Sequence, residues 1–69
     1  MELGWFCVGY KVHNGSKTEL WDMYILAPTL SMAKKKTMNE CKAYHKKAKI
    51  TIEYARPISH DEMYAMCLN

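Results

Sequence analysis

The fold is decided by two consecutive segments in the middle of the chain. The first reads Ala27-Pro28-Thr29-Leu30-Ser31-Met32-Ala33 and continues into a lysine-rich run, and the second reads Ile50-Thr51-Ile52-Glu53-Tyr54-Ala55-Arg56-Pro57. Thr29 is predicted to cap a helix, because its hydroxyl can accept a hydrogen bond from an otherwise unpaired amide of the first turn. We predict a helix over residues 30–48. Its less polar residues recur every three or four positions, so they share one face of the helix. They are Leu30, Ala33, Thr37, Cys41, Tyr44 and Ala48.

Two strands are predicted before this helix, joined by a hairpin. Residues 4–12 alternate with a period of two, and residues 18–27 form the return strand. Asn14-Gly15 lies between them, and this dipeptide readily supplies the positive φ that a hairpin turn needs. The sets expected to face the helix are Phe6, Val8, Tyr10 and Val12 on the first strand and Trp21, Met23, Ile25 and Ala27 on the second.

A third strand and a short second helix are predicted after the long helix. Residues 49–56 alternate, with Ile50, Ile52 and Tyr54 inward and Thr51 and Glu53 outward, and Pro57 is expected to end the strand because it has no amide to donate. Ser59 and Glu62 have the spacing of a capping box, which predicts a helix over residues 60–68. The apolar side chains of that helix must pack on the domain or meet a partner; they are Met63, Tyr64, Met66, Cys67 and Leu68.

These elements predict one α+β domain over residues 1–69. A helical crossover leaves the first strand central, so the expected architecture is a three-stranded antiparallel sheet of order 2-1-3 with the long helix packed on one face, ββαβ plus a short C-terminal helix. A domain of this size gains only about 3–5 kcal/mol of net stability from its core. No apolar run approaches the roughly 20 residues of a membrane span, and no signal peptide is recognisable, so we expect a cytoplasmic protein without a membrane partner.

The positive charge of the chain is concentrated on one element. The net charge is +3, yet residues 30–49 hold seven lysines and one glutamate, so this segment carries +6 and the remainder −3. Electrostatic attraction of a partner would therefore be directional.

The chain resembles two kinds of small bacteriophage inhibitor. The resemblance rests on Ala27-x-Thr29-Leu30-x-x-Ala33-Lys34-Lys35, on the hairpin that opens with Trp5-Phe6, and on the strand that ends with Arg56-Pro57. The helix entry is similar to that of the short type I-F anti-CRISPR proteins, and the helix entry and the Arg-Pro are similar to those of the T7-type inhibitor of bacterial RNA polymerase. Both resemblances imply a strand-strand-helix-strand fold, action inside the bacterial host cell, and a bacterial protein or ribonucleoprotein complex as the partner.

The resemblance also implies roles for particular residues. Lys34 and Lys35 match helix residues of the anti-CRISPR kind that contact a nucleic-acid-binding surface of a surveillance complex. Arg56 matches an important arginine of the polymerase kind. The chain departs from the polymerase inhibitors at Tyr54, where they have a second arginine, and it lacks the acidic residue that follows their first strand.

Two surfaces are candidates for binding a partner. The first is the set of lysines, which is either a contact surface for phosphates or acidic protein groups, or an ordinary solvated helix face. The second is the sheet face away from the helix, where aromatics next to Asp22 and Glu53 favour a protein over nucleic acid, unless the second helix covers them. The candidate residues are Lys34, Lys35, Lys42, Lys46, Lys49, Arg56, Trp5 and Tyr24.

The sequence gives little reason to expect catalysis, a metal or a cofactor. Cys41 and His45 are four residues apart, a spacing that suits two metal ligands on a helix, but even with Cys7 they would make an incomplete zinc site. No Gly-rich phosphate loop or nucleophile elbow is present. We therefore predict no enzyme, no metal site, no cofactor, and cysteines that are free thiols.

Three functions are consistent with the sequence. The leading hypothesis is a phage-type inhibitor that binds and blocks a bacterial protein complex, such as a CRISPR surveillance complex or another defence or transcription machine, through its basic helix. The first alternative is a nucleic-acid-binding module that uses the same helix. The second is a homodimeric structural or interaction protein, which the small core and the apolar terminal helix favour.

Overall fold

The computed structural model describes residues 2–67, and only the backbone of Met66 and Cys67. The elements in chain order are the strands β1 (Gly4–Asn14) and β2 (Lys17–Ala27), the helix α1 (Leu30–Tyr44), the strand β3 (Lys49–Ile58) and the helix α2 (His60–Cys67). The strands form one antiparallel sheet of order β2-β1-β3, with α1 packed on it. The predicted α+β class and strand order are confirmed.

The hairpin between β1 and β2 is longer than predicted. Asn14 pairs with Lys17, so the loop is only Gly15-Ser16, and the strands extend beyond the predicted limits of residues 12 and 18. Gly15 has φ 66° and Ser16 does not have a positive φ. A positive φ at the first loop residue alone fits a type II′ turn, whose backbone twist matches that of the flanking strands.

Helix α1 begins as predicted and ends one turn early. Thr29 is the N-cap, and its Oγ1 accepts a hydrogen bond of 3.2 Å from the Met32 amide. The predicted end at residue 48 is wrong, because the helix stops at Tyr44, and the His45 amide, bonded to the Cys41 carbonyl, closes its last turn. Tyr44 is consequently 78 % exposed and does not belong to the buried face.

The core lies between α1 and the helix side of the sheet. One cluster joins Val8, Ala27 and Ala33, and a second joins Tyr10, Val12 and Cys41. Thr37 is fully buried on the same helix face, and its hydroxyl donates to the Ala33 carbonyl at 2.9 Å, so its polar atom is satisfied. The buried face of α1 is therefore Ala33, Thr37 and Cys41, while Leu30 at its start is 37 % exposed.

A β-bulge in β3 overturns the predicted orientation of Tyr54. Gly9 pairs with Tyr54 and Tyr10 with Ile52, so Glu53 is an extra residue in the ladder. After the bulge, successive side chains again alternate between the two faces of the sheet, but shifted by one residue. Tyr54 therefore points to the sheet face away from α1, and Ala55, one residue later, packs against the core.

Strand β3 continues past the predicted stop at Pro57 and leads directly into α2. Pro57 pairs with Phe6, and an edge strand tolerates proline because its missing amide can face outward. Ser59 caps α2, since its Oγ accepts from the Glu62 amide at 3.1 Å. Of the apolar residues predicted to need cover, Met63 is partly buried and Tyr64 is 69 % exposed. Leu68 and the side chains of Met66 and Cys67 lie outside the described part of the chain.

Candidate interaction surfaces

The solvent side of α1 carries a pair of lysines from the predicted set. At about 100° per residue, Lys35 and Lys42 lie opposite the buried face and two turns apart, about 10.5 Å along the axis. Both are exposed. They form the centre of what we call the helix lysine surface, defined as Lys34, Lys35 and Lys42.

The other lysines at the start of α1 differ in their surroundings. Lys34 is exposed and lies at the flank of the helix lysine surface. Lys36 instead donates from Nζ to the Leu26 carbonyl at 3.0 Å, which ties the helix to the end of β2. Among residues 2–65, no lysine of α1 is in an ion pair; the two ion pairs found there are Lys11–Glu53 and Arg56–Glu62.

The structure does not place all the predicted lysines on one surface. Lys46 lies in the turn after α1. Lys49 is the first residue of β3, where it pairs with His13 on the sheet face away from the helix. The early end of α1 separates these two lysines from Lys35 and Lys42.

The sheet face away from α1 collects the remaining predicted residues, and we call it the open face. Trp5 pairs with Leu26, and the next row of the same face holds Tyr24, Cys7 and Arg56. Trp5 and Tyr24 are diagonal neighbours, close enough for aromatic contact. Both side chains are partly buried, so this aromatic pair is neither fully open nor fully covered.

Arg56 connects the open face to α2. Its Nη2 lies 2.9 Å from Oε2 of Glu62, so the two side chains form a close ion pair. The Glu62 Oε2 atom is buried, and no guanidinium N–H points at it well enough to make a hydrogen bond. This contact with Glu62 raises the pKa of Arg56. The Glu62 carboxylate therefore holds α2 to the sheet, whereas in a complete capping box it would bond back to the cap residue.

Tyr54 is a residue of the open face that sequence reasoning assigned to the wrong side. Its ring lies over Gly9, since a Cβ built on Gly9 would be 2.1 Å from Cε1 of Tyr54. Its hydroxyl is 4.0 Å from Cys7 Sγ, and a hydrogen bond with that thiol, followed by burial, raises the pKa of Tyr54. Gly9 is the sequence feature that could have indicated this position of the Tyr54 ring, because a glycine inside a strand often marks the close approach of another group.

The two described thiols lie on opposite sides of the sheet. Cys7 is buried on the open face under Tyr54, and Cys41 is buried on α1 against Tyr10 and Val12. The sheet thus separates Cys7 from Cys41 and His45, the residues considered together as an incomplete metal site. Burial raises the pKa of Cys41, which keeps it in the unreactive thiol form. Within the described residues, no three His, Cys, Asp or Glu side chains are grouped so that they could hold a metal ion.

Tyr10 has the most strongly shifted ionisation of the core. Burial is the main cause that raises the pKa of Tyr10 to about 12, and the neighbouring Cys41 thiol adds to it. The side chain is only 6 % exposed. Tyr10 is therefore a neutral structural residue at physiological pH.

The fold and these surfaces define a small α+β protein with a basic helix on one side of its sheet and a mixed aromatic and charged face on the other. No known protein family, curated protein or solved structure matches the chain. Over residues 2–67, neither helix combines the length and apolar character needed to cross a membrane.

Proposed function

We propose that this protein is a small inhibitor of phage type that binds a bacterial protein or ribonucleoprotein complex and blocks it by occupying its surface. The single observation that carries the proposal is the helix lysine surface, a set of exposed cations without ion-pair partners among residues 2–65. The similarity of the helix entry to phage inhibitors supports the same function. An acidic protein surface, or phosphates held by a protein, would be the complementary target.

Two features argue that this surface is available for binding. Lys35 and Lys42 stand opposite the buried face of α1, so a partner can approach them without displacing any part of the core. The start of the helix is anchored by the Thr29 cap and by the bond from Lys36 to the Leu26 carbonyl. The helical backbone sets the spacing of the lysine Cα atoms, so a partner meets a defined pattern of attachment points for the charges.

Affinity capture from a bacterial lysate tests the proposal. Tagged protein should retain a specific complex at moderate salt, and the purified complex should lose activity when the protein is added. The variant Lys35→Glu/Lys42→Glu should fold normally and lose about 2–5 kcal/mol of binding free energy, if the contacts are desolvated in the complex.

A matched control distinguishes the effect of changing the helix lysine surface from the effect of changing the net charge of the protein. Lys17→Glu/Lys47→Glu makes the same change in charge at two exposed lysines outside the helix and should bind almost normally. Absence of any specific complex, or full activity of a folded Lys35→Glu/Lys42→Glu variant, would contradict the proposal.

Nucleic-acid binding by the same surface is the second candidate, and the exposed lysine set is the observation that favours it. Contacts from Lys34, Lys35 and Lys42 to phosphates would release counterions. The logarithm of the DNA affinity should then fall with the logarithm of salt concentration with a slope of about −2.7. Affinity that is independent of salt, or no binding at low salt, would exclude this function.

The homodimer is a further proposal, supported by the exposed Tyr64 on α2. Sedimentation at high protein concentration should give a dimer. A monomer under those conditions would contradict it.

A further inference from the structure

The open face contains a depression that the proposed function does not use. It has a volume of about 470 Å³, within the range of sites that bind small ligands or single side chains. It lies beside Gly9 of the central strand, which has no side chain, and beside the Tyr54 ring that packs on this glycine. Its lining residues are Gly9, Tyr10, Lys11, Leu20, Trp21, Asp22, Glu53 and Tyr54.

The walls of this depression combine apolar surface with a net negative charge. Leu20 is 74 % exposed and Tyr54 is 48 % exposed, so both offer apolar surface to a ligand. Lys11 and Glu53 lie 2.6 Å apart and neutralise each other. Asp22 is exposed, and no described residue hydrogen-bonds or ion-pairs with its side chain.

The position of Asp22 sets the geometry for a cation. Asp22 and Tyr54 both pair with Gly9, from β2 and β3 respectively, so a carboxylate and an aromatic ring share one row of the open face. Burial, and after it the negative charge of Asp22, raises the pKa of Tyr24, which lies on the same strand and face as Asp22. Leu20, two residues from Asp22 on the same strand side, lies next to this row.

We propose that the depression binds an arginine side chain of a protein partner. The guanidinium would stack on the Tyr54 ring and donate hydrogen bonds to the Asp22 carboxylate, while its aliphatic stem would pack on Leu20. Arginine fits better than lysine because its planar cation can both stack on an aromatic ring and bond a carboxylate in a bidentate manner. A phosphate-bearing partner is disfavoured there by Asp22.

This inference goes beyond the proposed function and does not depend on it. The depression lies on the side of the sheet opposite α1, so occupying it leaves the helix lysine surface free. The two sites could engage two regions of one partner or two different partners. Failure of either proposal leaves the other unaffected.

A titration followed by NMR tests the proposal on the whole protein. The probe is the peptide acetyl-Gly-Arg-Gly-amide, with its citrulline and lysine counterparts as comparisons. Citrulline has nearly the same shape as arginine without the charge. The arginine peptide should shift the amide signals of Gly9, Leu20, Asp22 and Tyr54, and should bind about tenfold more tightly than the citrulline peptide.

Two variants complete the test. Asp22→Asn should abolish most of the difference between the arginine and citrulline peptides, and Glu40→Gln, which removes an exposed carboxylate from α1, should leave it unchanged. Both positions are exposed, so both variants should fold, and the NMR spectrum verifies this directly. Equal binding of the arginine and citrulline peptides, shifts that map elsewhere, or an unaffected Asp22→Asn variant would each overturn the proposal.

Discussion

Replacing Gly9 with alanine would test how the ring of Tyr54 is seated on the open face. The added Cβ would lie 2.1 Å from Cε1, 2.5 Å from Cζ and 2.7 Å from Cδ1 of Tyr54. Reaching an ordinary van der Waals distance requires the ring to move by about 1.3 Å. Because Tyr54 is 48 % exposed, the ring can move outward, and it would then uncover Cys7 beneath it.

The size of the effect follows from two opposing contributions. Overpacking of a close contact costs about 1–3 kcal/mol, and alanine recovers about 0.4–1 kcal/mol by restricting the unfolded chain. The backbone of Gly9 has no positive φ, so alanine adds no backbone strain there. We expect Gly9→Ala to lower the free energy of unfolding by about 1–2 kcal/mol, which lowers Tm by roughly 5–15 °C for a domain of this size.

Urea denaturation followed by circular dichroism measures this effect, and a second background shows its origin. In a Tyr54→Ala protein the obstructing ring is gone, so Gly9→Ala should be neutral or stabilising by about 0.4–1 kcal/mol. The same substitution should thus be destabilising in the natural background and neutral or stabilising in the Tyr54→Ala background. An equal loss of stability in both backgrounds would refute the reasoning, because the cost could not then come from the ring.

Three further predictions concern the helix cap, the buried tyrosine and the ion pair to α2. Thr29→Ala removes the acceptor for the Met32 amide and should cost about 1 kcal/mol in urea denaturation, whereas Thr29→Ser should retain most of the stability; equal losses would contradict the cap. The folded protein holds Tyr10 neutral up to about pH 12, whereas in the unfolded chain this tyrosine ionises near pH 10. The free energy of unfolding should therefore be unaffected by this group below pH 10. It should fall by up to about 1.4 kcal/mol per pH unit between pH 10 and 12. Tyr10→Phe should make that fall shallower, and an unchanged slope would argue against the shifted pKa. Glu62→Gln should speed hydrogen exchange in α2 while changing global stability by less than about 1 kcal/mol, since the contact with Arg56 is partly exposed; unchanged exchange would show that the pair does not hold the helix.

The order of the elements and the start of each helix could be predicted from local chemistry. Thr29 and Ser59 both cap helices where their hydroxyls were expected to accept first-turn amides. Gly15 supplies the positive φ of the hairpin. Such signals depend on a few neighbouring residues, so the sequence alone displays them.

The end of α1 and the bulge in β3 could not be predicted in the same way. The segment after Tyr44 contains no glycine or proline to stop a helix, and lysine and alanine are good helix formers, so propensity alone favoured continuing to residue 48. The helix nevertheless ends at Tyr44, and Ala48 packs beside the second core cluster just before β3 begins. The bulge at Glu53 arises from pairing with β1, which no pattern within β3 reveals.

The candidate surfaces were predictable only where they depend on a single element of the chain. Exposure of Lys35 and Lys42 follows from helical periodicity, so the sequence placed them correctly on the outer side of α1. The depression beside Asp22 and Tyr54 depends on the bulge, because regular alternation would have turned Tyr54 toward the core. Residues brought together across three strands are visible only when the register is known.

The bulge also makes β3 the place where the chain can change length by one residue. Removing Glu53 would return the strand to plain alternation, and Tyr54, Arg56 and Ile58 would keep the sides they now occupy. Loss of one residue from the unbulged β2 offers no such accommodation, since every side chain beyond the deletion would change sides. Insertions and deletions in relatives of this protein should accordingly be tolerated near Glu53 and rare within the hairpin strands.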